Sequence, residues 1–360
     1  MSNPFCAPKL FLTRVSFSLF LLLGFSFISG CSLFGTHKSV QVPPLLTPLA
    51  DADRNQLLTE VNRLATVKSI YGKVDIIFED NSFAEAGIAE KYKQADGTIT
   101  IQRPGEVYLV IQVPFIATDI AQMTSDGQHF RVAVLQGDER FRRFVKGTNS
   151  AVYDKLEING DNKEPSKTDK KRVMTGRETV NAFSNLRPQH LTDALLMAPV
   201  PPTTGGGLNY VQSEFYQEEQ DKRPQAKKGS RVVRGYYLLE EFAQTDGDPK
   251  LVRRLWFDRV GGIRLARLQT FGERGLLATD ISYFDEKPFG EDGSRKLPSR
   301  VEITRPHDRY KISINYQAPA SVVLDREYRP EAFVLENKWQ LPEIDLDERQ
   351  RTSTREVRKN

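Results

Sequence analysis

The chain has 360 residues, and its 51 lysines and arginines nearly balance 47 acids, for a formal net charge of +4. A charge this small gives no field-based case for nucleic acid or for an acidic substrate. The length suits one large domain or two ordinary ones, and two cysteines, Cys6 and Cys31, leave little room for a disulfide framework.

Lys9 and Arg14 precede an apolar run, Ser16–Phe27, that closes on Ile28-Ser29-Gly30-Cys31. A basic start, an apolar middle and small residues at the end describe a secretory signal. The run is shorter than the roughly 20 residues of a spanning helix, and no later run reaches that length. The cysteine directly after Ser29-Gly30 resembles the lipobox of bacterial lipoproteins. That resemblance implies that residues 1–30 are removed and that Cys31 is lipidated on its sulfur and acylated on its new amine. Several acyl chains hold a protein on a membrane without spanning it, at about 0.8 kcal/mol per buried CH₂. Ser32 follows where an aspartate would mean inner-membrane retention under the proteobacterial sorting rule, so the expected location is the periplasmic face of the outer membrane. Removing residues 1–30 takes away Cys6 and leaves 330 residues of net charge +2, with no internal disulfide to form.

Residues 31–48 contain Gly35 and Pro43-Pro44, show no periodicity and read as a tether. Then Asp51 and Asp53 precede Leu57, Leu58, Val61, Leu64 and Ala65, which is helical spacing with acids where the helix dipole favours them. From Ser69 the period becomes two. Strands are expected at Ile70–Glu79, Glu85–Tyr92, Thr98–Gln102, Val107–Val113, Ile116–Met123, Phe130–Leu135 and Arg140–Val145. Arg103-Pro104-Gly105, Asp126-Gly127 and Gly137-Asp138 are the turns between them. Several of these strands are apolar on both faces, which predicts a curved sheet with a helix or a ligand on its concave side.

The polar stretch Asn159–Arg172 reads as a loop. Pro188 in the first turn and a stripe of Leu191, Leu195 and Leu196 predict a short helix from Arg187 able to plug a concave face. Gly205-Gly206-Gly207 is a joint and not a phosphate loop, because no lysine follows at the required spacing. Strands resume at Leu208–Tyr216, then the charged loop Glu218–Ser230, then Arg231–Phe242, Leu251–Asp258, Ile263–Leu268, Leu276–Tyr283, Arg300–Thr304 and Tyr310–Tyr316. Residues 342–360 are dense in charge and read as a disordered tail.

No catalytic constellation emerges. His37, His129, His190 and His307 share no metal-ligand spacing with one another or with cysteine, and no Gly-x-Ser-x-Gly elbow is present. The expectation is a protein that is not an enzyme and has no cofactor and no metal.

An amphipathic helix leading into a long meander, with Asp96–Gly105 ending in Arg-Pro-Gly and a later Ser125-Asp126-Gly127 turn, resembles the LolA/LolB superfamily of periplasmic lipoprotein carriers and receptors. The resemblance spans roughly Leu49 to Val145. It implies an α+β, mostly β fold: a curved antiparallel sheet forming an unclosed β-barrel, capped by helices on the concave side over an apolar cavity for acyl chains. On that plan residues 49–341 form the half-barrel, with extra strands or a second lobe from about residue 208. The cavity-lining candidates are Leu109, Ile111, Val132, Val134, Leu191, Leu195 and Leu196. Two functions are carried forward. One is binding of a lipid or of lipoprotein acyl chains. The other is a structural or assembly role through envelope protein partners, suggested by the charged insertions Asn159–Arg172 and Glu218–Ser230 and the charged tail. Neither reading involves nucleic acid.

Overall fold

The structure, a computed structural model, describes residues 42–80, 90–91, 94–114, 118–136, 139, 142–151, 153, 186–201, 208–245, 247–272 and 274–357. Cys31, the loop at 159–172 and the triple glycine lie outside them, as does all of the strand expected at 85–92 except residues 90–91. Residues Leu45–Asn360 form one compact unit. No described helix is long and apolar enough to cross a membrane.

Helix α1 spans Arg54–Ala65. Asp53 starts it by accepting from the Gln56 amide while the Gln56 side chain accepts from the Asp53 amide, both at 2.8 Å. This reciprocal cap satisfies two of the N–H groups that a helix start leaves without partners. Leu57, Leu58, Val61 and Leu64 are buried, so the 3.6-residue stripe is the face that docks.

The described strands form one sheet of sixteen. The first seven are β1 (Ser69–Asp80), β2 (Glu90–Lys91), β3 (Ala95–Gln102), β4 (Glu106–Gln112), β5 (Asp119–Asp126), β6 (His129–Val134) and β7 (Arg143–Thr148). Helix α2 (Pro188–Leu195) follows, and then β8 (Leu208–Gln220), β9 (Arg231–Ala243), β10 (Lys250–Asp258), β11 (Arg264–Phe271), β12 (Leu277–Phe289), β13 (Arg295–Arg305) and β14 (Tyr310–Tyr316). Short strands β15 (Val323–Leu324) and β16 (Glu343–Asp345) precede helix α3 (Leu346–Val357).

Strand β1 lies in the middle, paired with β3 on one side and β14 on the other. From β3 the chain meanders outward to β7; it restarts at β8 on the opposite edge and meanders back to β14. The sheet curves without closing, so the fold is mostly β and half-barrel in form. The turns follow from local chemistry. Asp126 accepts from the Gln128 and His129 amides at 3.0 and 2.7 Å, and Gly127 takes φ +89°, a left-handed conformation that glycine adopts without strain. These bonds, together with Arg131, hold the Asp126 carboxyl below the usual carboxylate range despite its partial burial.

Several boundaries differ from the sequence reading; β8, for one, runs on to Gln220, into the expected loop 218–230. Of the two alternatives from residue 208, the described residues take the extra strands: β14 pairs along β1 from Val74↔Tyr316 to Asp80↔Tyr310 and makes the two meanders one sheet. Residues 45–48, expected within the tether, belong to the folded unit: Leu45 bridges to Val233, Leu46 is buried and donates to the Val233 carbonyl, and Ala50 donates to that of Arg259. Isolated backbone bonds hold this segment, and they leave no periodicity to read. Within the tail expected from 342, the described residues Glu343–Asp345 and Leu346–Val357 form β16 and α3. Strand β16 runs parallel to β7 with Lys146 bridging Glu343 and Asp345, Leu346 is buried, and Asp347 accepts from Thr148 and Tyr153. Composition predicts disorder there, but specific acids meet specific partners on and just after β7.

Candidate functional site

Helix α2 lies in sequence between β7, which is next to the β16 edge, and β8 on the opposite edge. The helix packs against β4 and β5 of the first meander and β13 of the second. Leu191 is fully buried and Ala194 nearly so. Burial of a leucine on this scale is worth about 1.5–3 kcal/mol.

Polar bonds fix the position of α2. At its first turn His190 Nδ1 and the Tyr310 hydroxyl are 2.6 Å apart and buried. Burial, with Arg305 nearby, pushes the imidazole down to about 3, so it is neutral at pH 7. At its last turn the Tyr283 hydroxyl donates to the Ala194 carbonyl at 3.1 Å. Just before the helix, the Arg187 guanidinium lies 4.9 Å from the Phe130 ring centre and 4.7 Å from that of Tyr153.

Beyond α2 the chain is tied to α1 by two side chains. Asn62 donates to the Val200 carbonyl at 2.9 Å and accepts from the Val200 amide at 2.8 Å. Arg103, from the β3–β4 turn, donates to the carbonyls of Val67 (3.0 Å), Ala65 (3.2 Å) and Met197 (2.6 Å). The first two acceptors lie at the end of α1, where helix carbonyls lack intrahelical donors. Arg103 thus joins sheet, α1 and the end of the α2 segment. Its partial burial lowers the guanidinium pKa. From the other side, Arg63 on α1 reaches the Lys296 carbonyl and Glu286.

Between the helices and the sheet lies an apolar cavity of about 30 Å³, walled by Leu64 and Val67 near α1, Leu195 and Met197 near α2, and Phe289 and Tyr316 from the sheet among others. That is far below the roughly 300–1,000 Å³ usual for a ligand pocket. Of the seven lining candidates, Leu195 reaches this cavity. Leu109, Ile111, Val132, Val134, Leu191 and Leu196 belong to the same continuous core but stand away from the cavity wall. A wider, open cleft of about 710 Å³ lies at the surface between Thr245, residues 247–251 and Arg274–Gly275.

Among the described residues no group of three His, Cys, Asp or Glu is placed to hold a metal ion. His129 and His307 are exposed, and His37 lies outside the described residues. The tethering residues escaped sequence reasoning. Asn62 sits on the polar side of α1, and Arg103 reads as part of a turn. One available signal was an arginine directly after the apolar strand β3, at the start of the turn.

No protein-family model matches the chain, and no curated protein matches it by sequence. Among solved structures it is similar to a LolA superfamily protein from Nitrosomonas europaea, at 10% identity over 79% of this chain and 99% of that one, with a TM-score of 0.37. It is also similar to a DUF1329 family protein from Desulfovibrio piger, at 12% identity over 78% and 95% with a TM-score of 0.33. A domain from Vibrio parahaemolyticus named for outer-membrane lipoprotein sorting matches at 9% identity over 80% and 97%, with a TM-score of 0.34. Likenesses this distant leave the functional reading to the chain's own residues.

Proposed function

We propose that the chain is a lipid-anchored envelope protein, held through Cys31 at the periplasmic face of the outer membrane, that takes an acyl chain into its half-barrel beneath α2. The observation that carries this reading is the apolar cavity under a helix held by a few identifiable polar bonds. Ligand pockets usually run to roughly 300–1,000 Å³, so the present cavity represents a closed form. Displacing α2 would break the His190–Tyr310 and Tyr283–Ala194 bonds and open the space now filled by Leu191, Leu195 and Leu196. The role is binding and not catalysis.

The test uses the chain from residue 32, which lacks the lipidated cysteine, and a fluorescent fatty acid, parinaric acid, whose emission rises in an apolar site. Saturable uptake at one probe per chain, with a matching adduct in native mass spectrometry, is expected. A probe that stays dark at every protein concentration would sink the proposal.

A second reading, a structural role through protein contacts, draws on one feature. Strand β8 is a 13-residue edge strand with Val211, Phe215 and Tyr216 exposed, and such edges invite pairing with another strand. Crosslinking in envelopes that yields no discrete adduct through β8 would count against it.

A further inference from the structure

Three tyrosines on the inner face, from two strands, present buried hydroxyls around α2. Tyr310 and Tyr316 open and close β14, and Tyr283 comes from β12. Burial pushes all three hydroxyls well above the ordinary tyrosine range, so each is a neutral O–H group at any physiological pH. Two of them have partners: Tyr310 meets His190, and Tyr283 donates to the Ala194 carbonyl. The third differs. Tyr316 is 3% exposed, it lines the apolar cavity, and its hydroxyl has no hydrogen-bond partner among the described residues.

The ring is held firmly. Phe289 packs edge-on against it with ring centres 5.1 Å apart. On the neighbouring strand Gly72 leaves it room, since a Cβ there would stand 3.3 Å from Tyr316 Cδ1 and 2.9 Å from Val322 Cγ2. A buried hydroxyl without a partner is a net cost to the folded state. Phenylalanine would fill the same wall without that cost. The unpartnered hydroxyls of Tyr210 and Tyr328 do not border this cavity.

We infer that the Tyr316 hydroxyl is the polar anchor of the cavity, donating to the carbonyl oxygen of an acyl ligand whose chain lies against Leu64, Val67, Leu195 and Met197. The ligand class is therefore an acyl ester, amide or protonated acid, and not a bare hydrocarbon. The inference rests on the acyl-binding reading above and adds to it the functional group recognised and the residue that recognises it.

The test compares two fluorescent probes on the chain from residue 32: parinaric acid methyl ester, which has a carbonyl, and diphenylhexatriene, which has no acceptor. Tyr316→Phe is expected to weaken the ester by about fivefold, the equivalent of one neutral hydrogen bond. Diphenylhexatriene should bind as before, and the Tm of the free protein should stay level or rise. Tyr283→Phe is the contrast: it frees the Ala194 carbonyl, loosens α2 and should change both probes together. Equal effects of Tyr316→Phe on the two probes, no effect on either, or a lowered Tm or failure to fold would each overturn the anchor. Failure of the unaltered chain to take up either probe would instead overturn the acyl-binding reading, an outcome distinct from the others.

Discussion

Replacing Arg103 with methionine keeps an apolar stem of similar length and removes all three guanidinium bonds. The bonds to Val67 and Ala65, at 3.0 and 3.2 Å, support the end of α1; a typical net value is about 1 kcal/mol each. All three bonds come from a charged donor; the one to Met197, shortest at 2.6 Å, is worth about 1.5–2 kcal/mol, and of the three it is the one that restrains the α2 side. Opening of the 196–201 segment should therefore become about 10–30-fold more frequent, since 1.4 kcal/mol is a factor of ten. The Val200 amide, which donates to Asn62, is the local reporter, and the amides of Ile312 and Ile314 in β14 report global unfolding. Hydrogen exchange should show Val200 accelerated by that factor, with the β14 amides changed less. Uptake of diphenylhexatriene should quicken in parallel. Equal acceleration at Val200 and in β14 would mean that Arg103 supports the whole fold and does not latch the helices. No acceleration at Val200 would remove the latch altogether.

Three further outcomes are expected. His190 titrates near 6.5 when unfolded and near 3 when buried, so between these values the unfolded chain binds a proton that the folded chain excludes. Stability should fall as pH drops through this window, by up to about 1.4 kcal/mol per pH unit; His190→Phe should have a shallower urea-stability slope there, and an unchanged slope would show that His190 is not buried neutral. Gly97→Ala places a Cβ 2.8 Å from the Val110 carbonyl oxygen and 3.1 Å from Ile76 Cδ1; it should cost about 1–3 kcal/mol, read as a lower urea midpoint at unchanged m, and an equal midpoint would contradict the packing of β3. Cys31→Ala should leave the domain folded and release it from membranes, and retention after high-salt washing would refute anchoring through that cysteine.

Much of the candidate site was legible only in part. The Leu191–Leu195–Leu196 stripe located α2, and its Pro188 start is where the helix begins. The strand alternation at Tyr310, Ile312, Ile314 and Tyr316 marked the inner face, and all four are buried. Alternation identifies the face a side chain takes, but not whether a hydroxyl on that face finds a partner. Tyr310 and Tyr316 read alike in the sequence. They differ because α2 sets His190 beside the first, while the second finds no hydrogen-bond partner among the described residues.

Local periodicity, turn chemistry and capping were enough to determine α1, α2 and nearly every described strand, because those signals act over a few residues. Tertiary structure decided the rest. The pairing of β1 with β14, more than 200 residues apart in sequence, makes one sheet where length alone allowed two lobes. Lys146, Thr148 and Tyr153 order a tail whose composition argues for disorder. Arg103 and Asn62 become ties between helices only when the segment after α2 brings Met197 and Val200 to them. Each of these depends on contacts between residues far apart in the chain, which no local pattern specifies.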